Sequence, residues 1–289
     1  MSRPAAGAAG PVLAGVDVLA VGDLVRAVAA TVVRPRFRDL HATDVSEKSP
    51  GDLVTVVDLE AEAALTVGLQ ALTPDVPVVG EEAVAADPAL VDVVASAERA
   101  WVVDPIDGTQ AFVDGSPDYA IMVGLVERGE AVGCWICLPE LDRLYVAVRG
   151  GGAWLDGVPL TRPEADLAAL RGGAATRFLP REEAEVPGDV LGRVEAGVAS
   201  LGAGMATSDR LWSGATYARI ASGESDVAFY WRTHPWDHLP GAVLLRELGG
   251  VSIRPDGSDY RADDGALGLV AASSPEVARV VLEALRPLG

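Results

Sequence analysis

The chain has 289 residues, 49% of them hydrophobic, which excludes a disordered protein and allows one large domain or two smaller ones. Its 42 acidic residues against 23 basic ones give a net charge of −19, which disfavours nucleic acid and anionic membranes as partners because phosphate binding needs clustered Lys and Arg. The same charge would repel an anionic substrate unless bound cations intervene. The sequence has no uncharged apolar run of about eighteen residues, which predicts no membrane span and a cytoplasmic protein.

The first half of the chain predicts helices and strands in alternation. Apolar spacing typical of helices marks residues 15–33 and 59–72, and residues 119–149 have the composition of a strand meander. The sequence also predicts a flexible tail at 1–14, a turn at 50–51 and an apolar strand-like run at 53–58. A strand leading into a loop is expected at 77–88 and a hairpin at 150–160.

The only cysteines, Cys134 and Cys137, lie three residues apart in the meander. A C-x-x-C pair can be a redox pair or half of a zinc site, but a redox pair usually opens a helix and no second pair completes a zinc site. In a strand, residues three apart point to opposite faces. We therefore expect two small buried side chains without chemistry.

The composition changes near residues 161–195, which are loop-like, acidic and rich in proline. We place a boundary there, between an N-terminal α+β subdomain (15–160) and a C-terminal α/β subdomain (161–289). Beyond it the sequence predicts three helices and three strands in alternation. The helices are expected at 213–223, 237–250 and 275–288, and the strands at 225–231, 251–257 and 267–273.

The stretch "WVVDPIDGT" (101–109) carries two carboxylates directly after an apolar run. Pro105 stiffens the turn between Asp104 and Asp107, and Gly108 allows a close approach of the backbone to a ligand. Carboxylates around such a turn can bind a hard cation, and its backbone N–H groups can bind a phosphate. A turn that simply closes a strand is the alternative interpretation.

Three further acidic features follow apolar runs: Asp58, the pair Glu81-Glu82, and Asp237. Taken singly, Asp58 and Asp237 could cap helices, and Glu81-Glu82 could lie in a solvated loop. Four coincidences are harder to explain than one shared cation site. The spacing of an EF-hand calcium loop is absent.

The segments "SPGDLVTVVD" (49–58), "GEE" (80–82), "DPIDGT" (104–109) and "WDHLPG" (236–241) together resemble the inositol monophosphatase family of metal-dependent, lithium-sensitive phosphatases. The resemblance covers roughly residues 15–285. It implies an α+β fold, the layered αβαβα sandwich of the inositol monophosphatase and fructose bisphosphatase type, and a homodimer. The chain is more loosely similar to phosphatases of phosphoadenosine phosphate, histidinol phosphate and fructose bisphosphate.

The resemblance also implies a site built on two or three Mg²⁺ ions. It assigns the first ion to Glu81, Asp104 and the carbonyl of Ile106, and the second to Asp104, Asp107 and Asp237. A weaker third ion would lie near Glu81, and the resemblance counts Glu81 among the catalytic residues. Glu82 would lie beside the ligands without binding an ion. Backbone N–H groups of Gly108 and Thr109 would bind the phosphate. Asp58 and Thr109 would orient or deprotonate the attacking water.

On the substrate side the chain departs from inositol-acting relatives. The position seven residues before Asp237, acidic in those relatives, is Tyr230, followed by Trp231 and Arg232. An arginine and an aromatic ring would suit a second anionic group or a flat ring. The residues expected near the substrate are Lys48, Ser213, Gly214, Ala215, Tyr230 and Arg232.

Three residues near these motifs, one lysine and two histidines, could belong to the site or have an ordinary structural role. Lys48 is the only lysine of the chain, and it lies either beside the metals and phosphate or on a solvated loop. His234 and His238 flank Asp237, and we expect ordinary hydrogen-bonded histidines because Mg²⁺ prefers oxygen ligands.

The sequence thus predicts a Mg²⁺-dependent phosphomonoesterase that hydrolyses a small phosphorylated metabolite, inositol monophosphate or a related sugar or cyclitol phosphate, by metal-activated water. The phosphatases of the loosely similar families are alternatives. A non-catalytic metal- or phosphosugar-binding protein is a third, and the presence of both Asp58 and Thr109 favours the enzyme.

Overall fold

The computed structural model describes residues 10–49, 51–180, 189–262 and 265–285. The predictions for residues 1–9, Pro50 and 286–288 lie outside these ranges. Within them, the α-helices α1 to α9 are Val18–Val28, Val56–Leu72, Glu81–Ala86, Asp92–Ser96, Thr109–Val113, Val190–Ser200, Ser213–Ser222, Pro235–Glu247 and Pro275–Leu285. The strands β1 to β14 are Val45–Ser49, Asp52–Thr55, Val78–Gly80, Arg99–Asp107, Ala120–Glu127, Glu130–Leu138, Arg143–Val148, Gly152–Leu155, Val158–Pro159, Gly172–Ala175, Met205–Ser208, Val227–Tyr230, Val251–Ile253 and Leu269–Ala272.

Strands β3 to β9 form a seven-stranded sheet in sequence order, with only β3 and β4 parallel. The predicted meander and hairpin are therefore confirmed. Its strand β6 contains Cys134 and Cys137, both buried as free thiols. Cys134 packs in the cluster on one face of the sheet and Cys137 in the cluster on the other, as expected of two core side chains.

A second sheet has five strands in the order β11-β10-β12-β14-β13. Strand β10 and the start of helix α6 were missed because residues 161–195 were interpreted as loop, and no element was predicted where α6 ends and β11 lies. The physical reason is plain for β10: its residues are Gly-Gly-Ala-Ala, with no β-branched or aromatic side chain to indicate a strand. Its backbone is nonetheless paired on both sides, in parallel with β11 and with β12.

The layers alternate between helices and sheets. Helices α1 and α2 cover the outer face of the seven-stranded sheet, and α7 and α8 fill the layer between the two sheets. Helices α6 and α9 cover the outer face of the five-stranded sheet. The predicted α+β class and αβαβα order are confirmed. The two sheets separate between β9 and β10, but α8 packs on both, so the division into two subdomains stays a prediction.

Several element boundaries differ from those predicted. The helix predicted for 59–72 begins at Val56, so Asp58 lies in its first turn and does not end a strand. Glu81 opens the short helix α3, where a loop was expected. The helix predicted for 15–33 is α-helical to Val28 and continues as a π-turn through Val33. No helix in the described ranges has the length and apolar character needed to cross a membrane.

A buried ion pair holds the start of the five-stranded sheet. Asp226 is fully buried just before β12 and accepts a hydrogen bond from Arg162 Nη2 at 2.6 Å. Its other oxygen accepts from the backbone N–H of Arg171 at 2.9 Å, directly before β10. The Arg162 side chain is only 4% exposed. One carboxylate therefore neutralises a buried cation and ties two strand entrances together.

We expect Asp226→Ala to lower the free energy of unfolding by about 3–5 kcal/mol, because it leaves a buried guanidinium without its counter-charge. Denaturant unfolding measures this. The control is Glu98→Ala, which removes the partner of Arg128 in an ion pair whose side chains are 76% and 78% exposed, and which should lower the free energy of unfolding far less because water screens the pair. Equal losses in the two variants would contradict the assignment.

Candidate metal centre

Strand β4 carries Asp104 and Asp107 on the same side although they are three residues apart. In a regular strand such residues point to opposite faces. Here Asp104 pairs with Met122 and Asp107 with Ala120, so β4 contains one residue more than β5 over this stretch. This bulge changes the alternation and turns the second carboxylate towards the first.

Helix α8 supplies the third carboxylate. Asp237 lies in its first turn, after Pro235 and Trp236. One carboxylate oxygen each from Asp104, Asp107 and Asp237 lie within 4.8 Å of one another. The motifs "DPIDGT" (104–109) and "WDHLPG" (236–241) thus meet at one point although they are far apart in the sequence.

This cluster has the character of a cation site. Asp104 is 2% exposed and Asp107 is 6% exposed. Among the described residues, Asp104 Oδ1 is buried without a hydrogen-bond partner. Burial, followed by the charge of Glu81, raises the pKa of both Asp104 and Asp237 well above the usual range. An unpartnered buried oxygen among three repelling carboxylates fits a hard divalent cation held by oxygen ligands.

Helix α7 fixes the orientation of Asp107. Ser213 Oγ donates to Asp107 Oδ1 at 2.5 Å, and the backbone N–H of Gly214 donates to Oδ2 at 2.8 Å. Burial raises the pKa of Asp107 to about 6, and these hydrogen bonds oppose the rise. Ser213 and Gly214 hold a carboxylate of the cluster, and their expected place near the substrate stays a prediction. Ala215, predicted with them, packs in the core between the sheets.

Glu81 lies beside the cluster and is bound to the only lysine. Lys48 Nζ donates to Glu81 Oε1 at 2.6 Å and to Glu82 Oε1 at 2.8 Å. Burial lowers the pKa of Lys48, but the two glutamates outweigh it and raise the pKa. Burial and the charge of Glu81 raise the pKa of Glu82 to about 8. Lys48 therefore contacts the predicted metal ligand Glu81 and is not on a solvated loop.

Sequence reasoning missed Glu62, which positions the helix that carries Glu81 and Glu82. Its buried carboxylate accepts the backbone N–H groups of Glu82 and Ala83, at 2.8 and 2.9 Å, and so caps the short helix α3. A Cβ atom at Gly80 would lie 2.2 Å from that carboxylate, so only glycine allows the approach. The signal available in the sequence was a Glu on the apolar side of α2, which a helical projection could have identified.

Asp58 and Thr109, predicted to act on water, contact each other. Thr109 Oγ1 lies 3.1 Å from Asp58 Oδ1 and 3.1 Å from the carbonyl oxygen of Ile106, and can donate to either. The other oxygen of Asp58 accepts from the N–H and the hydroxyl of Thr55, at 2.8 and 2.5 Å, and closes a capping box at the start of α2. Burial raises the pKa of Asp58 to about 6.

Gly108 occupies the turn between the carboxylates and helix α5. Its φ of +83° is in the left-handed region, and a Cβ atom there would lie 2.9 Å from Trp212. The turn therefore needs glycine for conformation and for space. Helix α5 begins at Thr109 directly afterwards.

The predicted substrate-side residues Tyr230 and Arg232 line one cleft with Asp107 and Asp237. Tyr230 is 5% exposed, and its ring packs 4.7 Å from that of His238. The His238 ring lies within hydrogen-bonding distance of the Tyr217 hydroxyl and of the carbonyl oxygen of Arg232, as expected for an ordinary core histidine. Burial lowers the pKa of His238 to about 3. His234 stacks on Trp236.

Comparison with known proteins identifies the family of the chain. The family model described as the inositol monophosphatase family matches residues 17–288. The chain belongs to the inositol monophosphatase family. It is 31% identical to the inositol-1-monophosphatase of Rhizobium meliloti over 266 residues, which cover 87% of this chain and 90% of that one. It is 28% identical to a fructose-1,6-bisphosphatase/inositol-1-monophosphatase of Aquifex aeolicus, over 81% and 84% of the two chains.

Solved structures show the same fold. The extragenic suppressor protein suhB of Bartonella henselae superposes with a TM-score of 0.75 at 23% identity, over 93% of this chain and 98% of that one. The family resemblance and the fold are thereby confirmed. As a member of this metal-dependent family, the chain is a phosphoric monoester hydrolase, and the acidic cluster lies where its motifs meet.

Proposed function

We propose that the protein is a Mg²⁺-dependent phosphomonoesterase acting on a small phosphorylated metabolite. The observation that carries the proposal is the buried cluster of Asp104, Asp107 and Asp237, with one oxygen unpartnered among the described residues, next to the Asp58–Thr109 pair. A site for cations alone would not require that pair. A non-catalytic binding protein is therefore the weaker alternative.

Two, and with Glu81 three, Mg²⁺ ions fit the donor set, because every side chain offered is a carboxylate. Asp104, Asp107 and Asp237 would hold the ions, together with Glu81 and the carbonyl of Ile106. Bound there, Mg²⁺ supplies stabilisation of the charge on the phosphate and the leaving oxygen and lowers the pKa of water.

The water-orienting work belongs to Asp58 and Thr109. When the Thr109 hydroxyl donates to Asp58, its lone pairs point away and can accept a hydrogen bond from water. A water held in this way keeps its own lone pair available for attack on phosphorus. Asp58, whose pKa burial raises to about 6, is ready to accept a proton at neutral pH. The N–H groups of Gly108 and Thr109 are proposed to bind the phosphate oxygens.

The substrate class is a small phosphorylated metabolite such as inositol monophosphate or a related sugar or cyclitol phosphate. The names of the Rhizobium and Aquifex relatives support inositol monophosphate and fructose 1,6-bisphosphate as first candidates. Phosphoadenosine phosphate and histidinol phosphate complete the panel. Phosphate release from each compound, with and without Mg²⁺, tests the proposal. A homodimer in the cytoplasm, without a nucleic acid partner, remains part of the prediction.

We expect exhaustive chelation to abolish phosphate release and Mg²⁺ to restore it. Ca²⁺ should inhibit, because it prefers more ligands at longer distances than Mg²⁺ and fits the same carboxylates in a different geometry. Li⁺ should inhibit as in the family that the chain resembles. Mg²⁺ should also raise the melting temperature, because it binds only the assembled cluster. Full activity after chelation would contradict the proposal.

A further inference from the structure

A cleft beside the acidic cluster is lined by two arginines as well as by the carboxylates of Asp107, Asp209 and Asp237. Asp107 and Asp237 form one side of it, and it is partly open to solvent. Arg177, Phe178, Trp212 and Arg232 are among its other lining residues. Two guanidinium groups thus face one cleft in a chain whose net charge is −19.

Arg232 is held flat against an aromatic ring. Its guanidinium carbon lies 3.5 Å from the centroid of the Phe178 ring, and Nη2 donates to Asp52 Oδ2 at 3.3 Å. Its Nε is buried and has no hydrogen-bond partner among the residues that the structure describes. Stacking therefore fixes the plane of the group while one donor stays unused.

Arg177 approaches the same place from the end of β10. Its guanidinium carbon lies 5.0 Å from the ring centroid of Trp212 and 5.5 Å from that of Phe178. One of its nitrogens donates to the carbonyl of Gly51, in the β1–β2 hairpin. Burial, opposed by Asp52, lowers the pKa of Arg177, and the charge of Arg232 lowers it further. The two cations repel each other, and an anion between them would relieve that repulsion.

The aromatic rings do not offer a free slot for a planar ligand. Arg232 covers the face of Phe178, and Arg177 lies over Trp212. The rings instead contact the guanidinium groups, and both arginines line the cleft. Guanidinium edges bind carboxylates and phosphates through paired hydrogen bonds, and they cannot accept a hydrogen bond from a sugar hydroxyl.

We propose that this cleft binds a second acidic group of the substrate, so that the preferred substrate is a phosphomonoester with an additional phosphate or carboxylate. The inference rests on the proposed phosphatase function and narrows its substrate class. Arg177 and Arg232 would bind the second oxyanion while the phosphate to be hydrolysed lies at the acidic cluster. A neutral polyol phosphate would leave both guanidinium groups without that partner.

Matched substrate pairs test this with the unmodified protein. Fructose 1,6-bisphosphate is compared with fructose 1-phosphate, and 3-phosphoglycerate with glycerol 3-phosphate, at equal Mg²⁺ and ionic strength. We expect kcat/KM to be roughly tenfold to a hundredfold higher for the member with the second acid, as for hydrogen bonds to a charged group. The first pair reports on a phosphate and the second on a carboxylate. A ratio of two or less in both pairs overturns the inference.

Variants then identify the residues. Arg177→Ala and Arg232→Ala should each raise KM about tenfold or more for the substrate with the second acidic group. KM for the matched substrate without that group should change little. The matched control is Arg210→Ala, an arginine on the same side of the protein whose side chain is 61% exposed and paired with Asp114. It should leave the ratio unchanged. Arg232→Lys keeps the charge without the paired geometry and covers the case in which the alanine variant does not fold.

The outcomes separate this inference from the proposed function. Absence of Mg²⁺-dependent phosphate release from every compound contradicts the function itself. Turnover without preference for the second acid contradicts only the inference. An equal loss of activity on both members of a pair in the arginine variants also overturns it, because the arginines would then serve only to fasten the β1–β2 hairpin.

Discussion

Asp104→Asn is expected to reduce phosphate release by about a thousandfold or more while the protein stays folded. Asp104 is the carboxylate assigned to both ions, and its Oδ1 has no partner among the described residues. Charge stabilisation of this kind is worth several kcal/mol, and each ~1.4 kcal/mol is a factor of ten in rate. Steady-state phosphate release at saturating Mg²⁺ measures the effect.

The same variant should be at least as stable as the parent when both are free of metal. Burial and neighbouring carboxylates raise the pKa of Asp104 in the folded state. A raised pKa means that the folded state binds the proton more tightly, so the parent loses stability as pH rises from about 4, the unfolded value, towards the raised pKa. The advantage of the asparagine should therefore grow over that range and vanish below it. Chelated samples melted at a series of pH values measure this.

The control for both measurements is Asp142→Asn. Its side chain is 83% exposed, and its φ of +51° is one that asparagine tolerates. It should keep full activity and a stability independent of metal. If Asp104→Asn unfolds without metal under conditions where the parent stays folded, Asp104 is structural and its assignment as a bridging ligand is wrong.

Fold prediction from the sequence succeeded where strands carry long runs of large apolar side chains and failed where the side chains are small. The meander over β5 to β7 has long apolar runs broken by polar turns, so its strands were evident. Strand β10 consists of glycine and alanine, and its pairing depends on neighbours that lie far away in sequence. A Cβ atom at Gly173 would lie 2.1 Å from a backbone oxygen of β11. The small residues that allow this close pairing of strands are also residues that give no strand signal in the sequence.

The site shows the same division. Carboxylates that follow apolar runs could be selected as candidates from the sequence, because buried charge needs a partner, and three of them lie together in the structure. Residues that act through others were not predicted. Glu62 positions α3 through its backbone, and Arg177 reaches the cleft from just after a strand that was interpreted as loop. Ser213 was expected near the substrate, but its hydrogen bond to Asp107 was not foreseen. Such roles depend on which helices and strands pack together, and the local sequence pattern does not indicate this packing.

Asp58 makes hydrogen bonds to two different residues through its two carboxylate oxygens. Oδ2 accepts from the N–H of Thr55 and caps α2, whereas Oδ1 accepts from the hydroxyl of Thr109. The helix-cap interpretation of this residue and its proposed role on water are therefore both compatible with the geometry. A substitution that keeps the helix cap and removes the proposed role on water can separate them.

Asp58→Asn is that substitution, and we expect it to lower kcat by about a hundredfold to ten-thousandfold with little loss of stability. The amide oxygen can still accept from Thr55, whereas the amide nitrogen then faces Thr109 and cannot accept its proton. The neutral amide also avoids burying a charge, since burial raises the pKa of the parent carboxyl. The control is Asp17→Asn, which changes the cap of α1, where Asp17 accepts from two backbone N–H groups away from the acidic cluster. Normal kcat for Asp58→Asn, or a loss of kcat that Asp17→Asn shares, would show that Asp58 serves only to cap the helix.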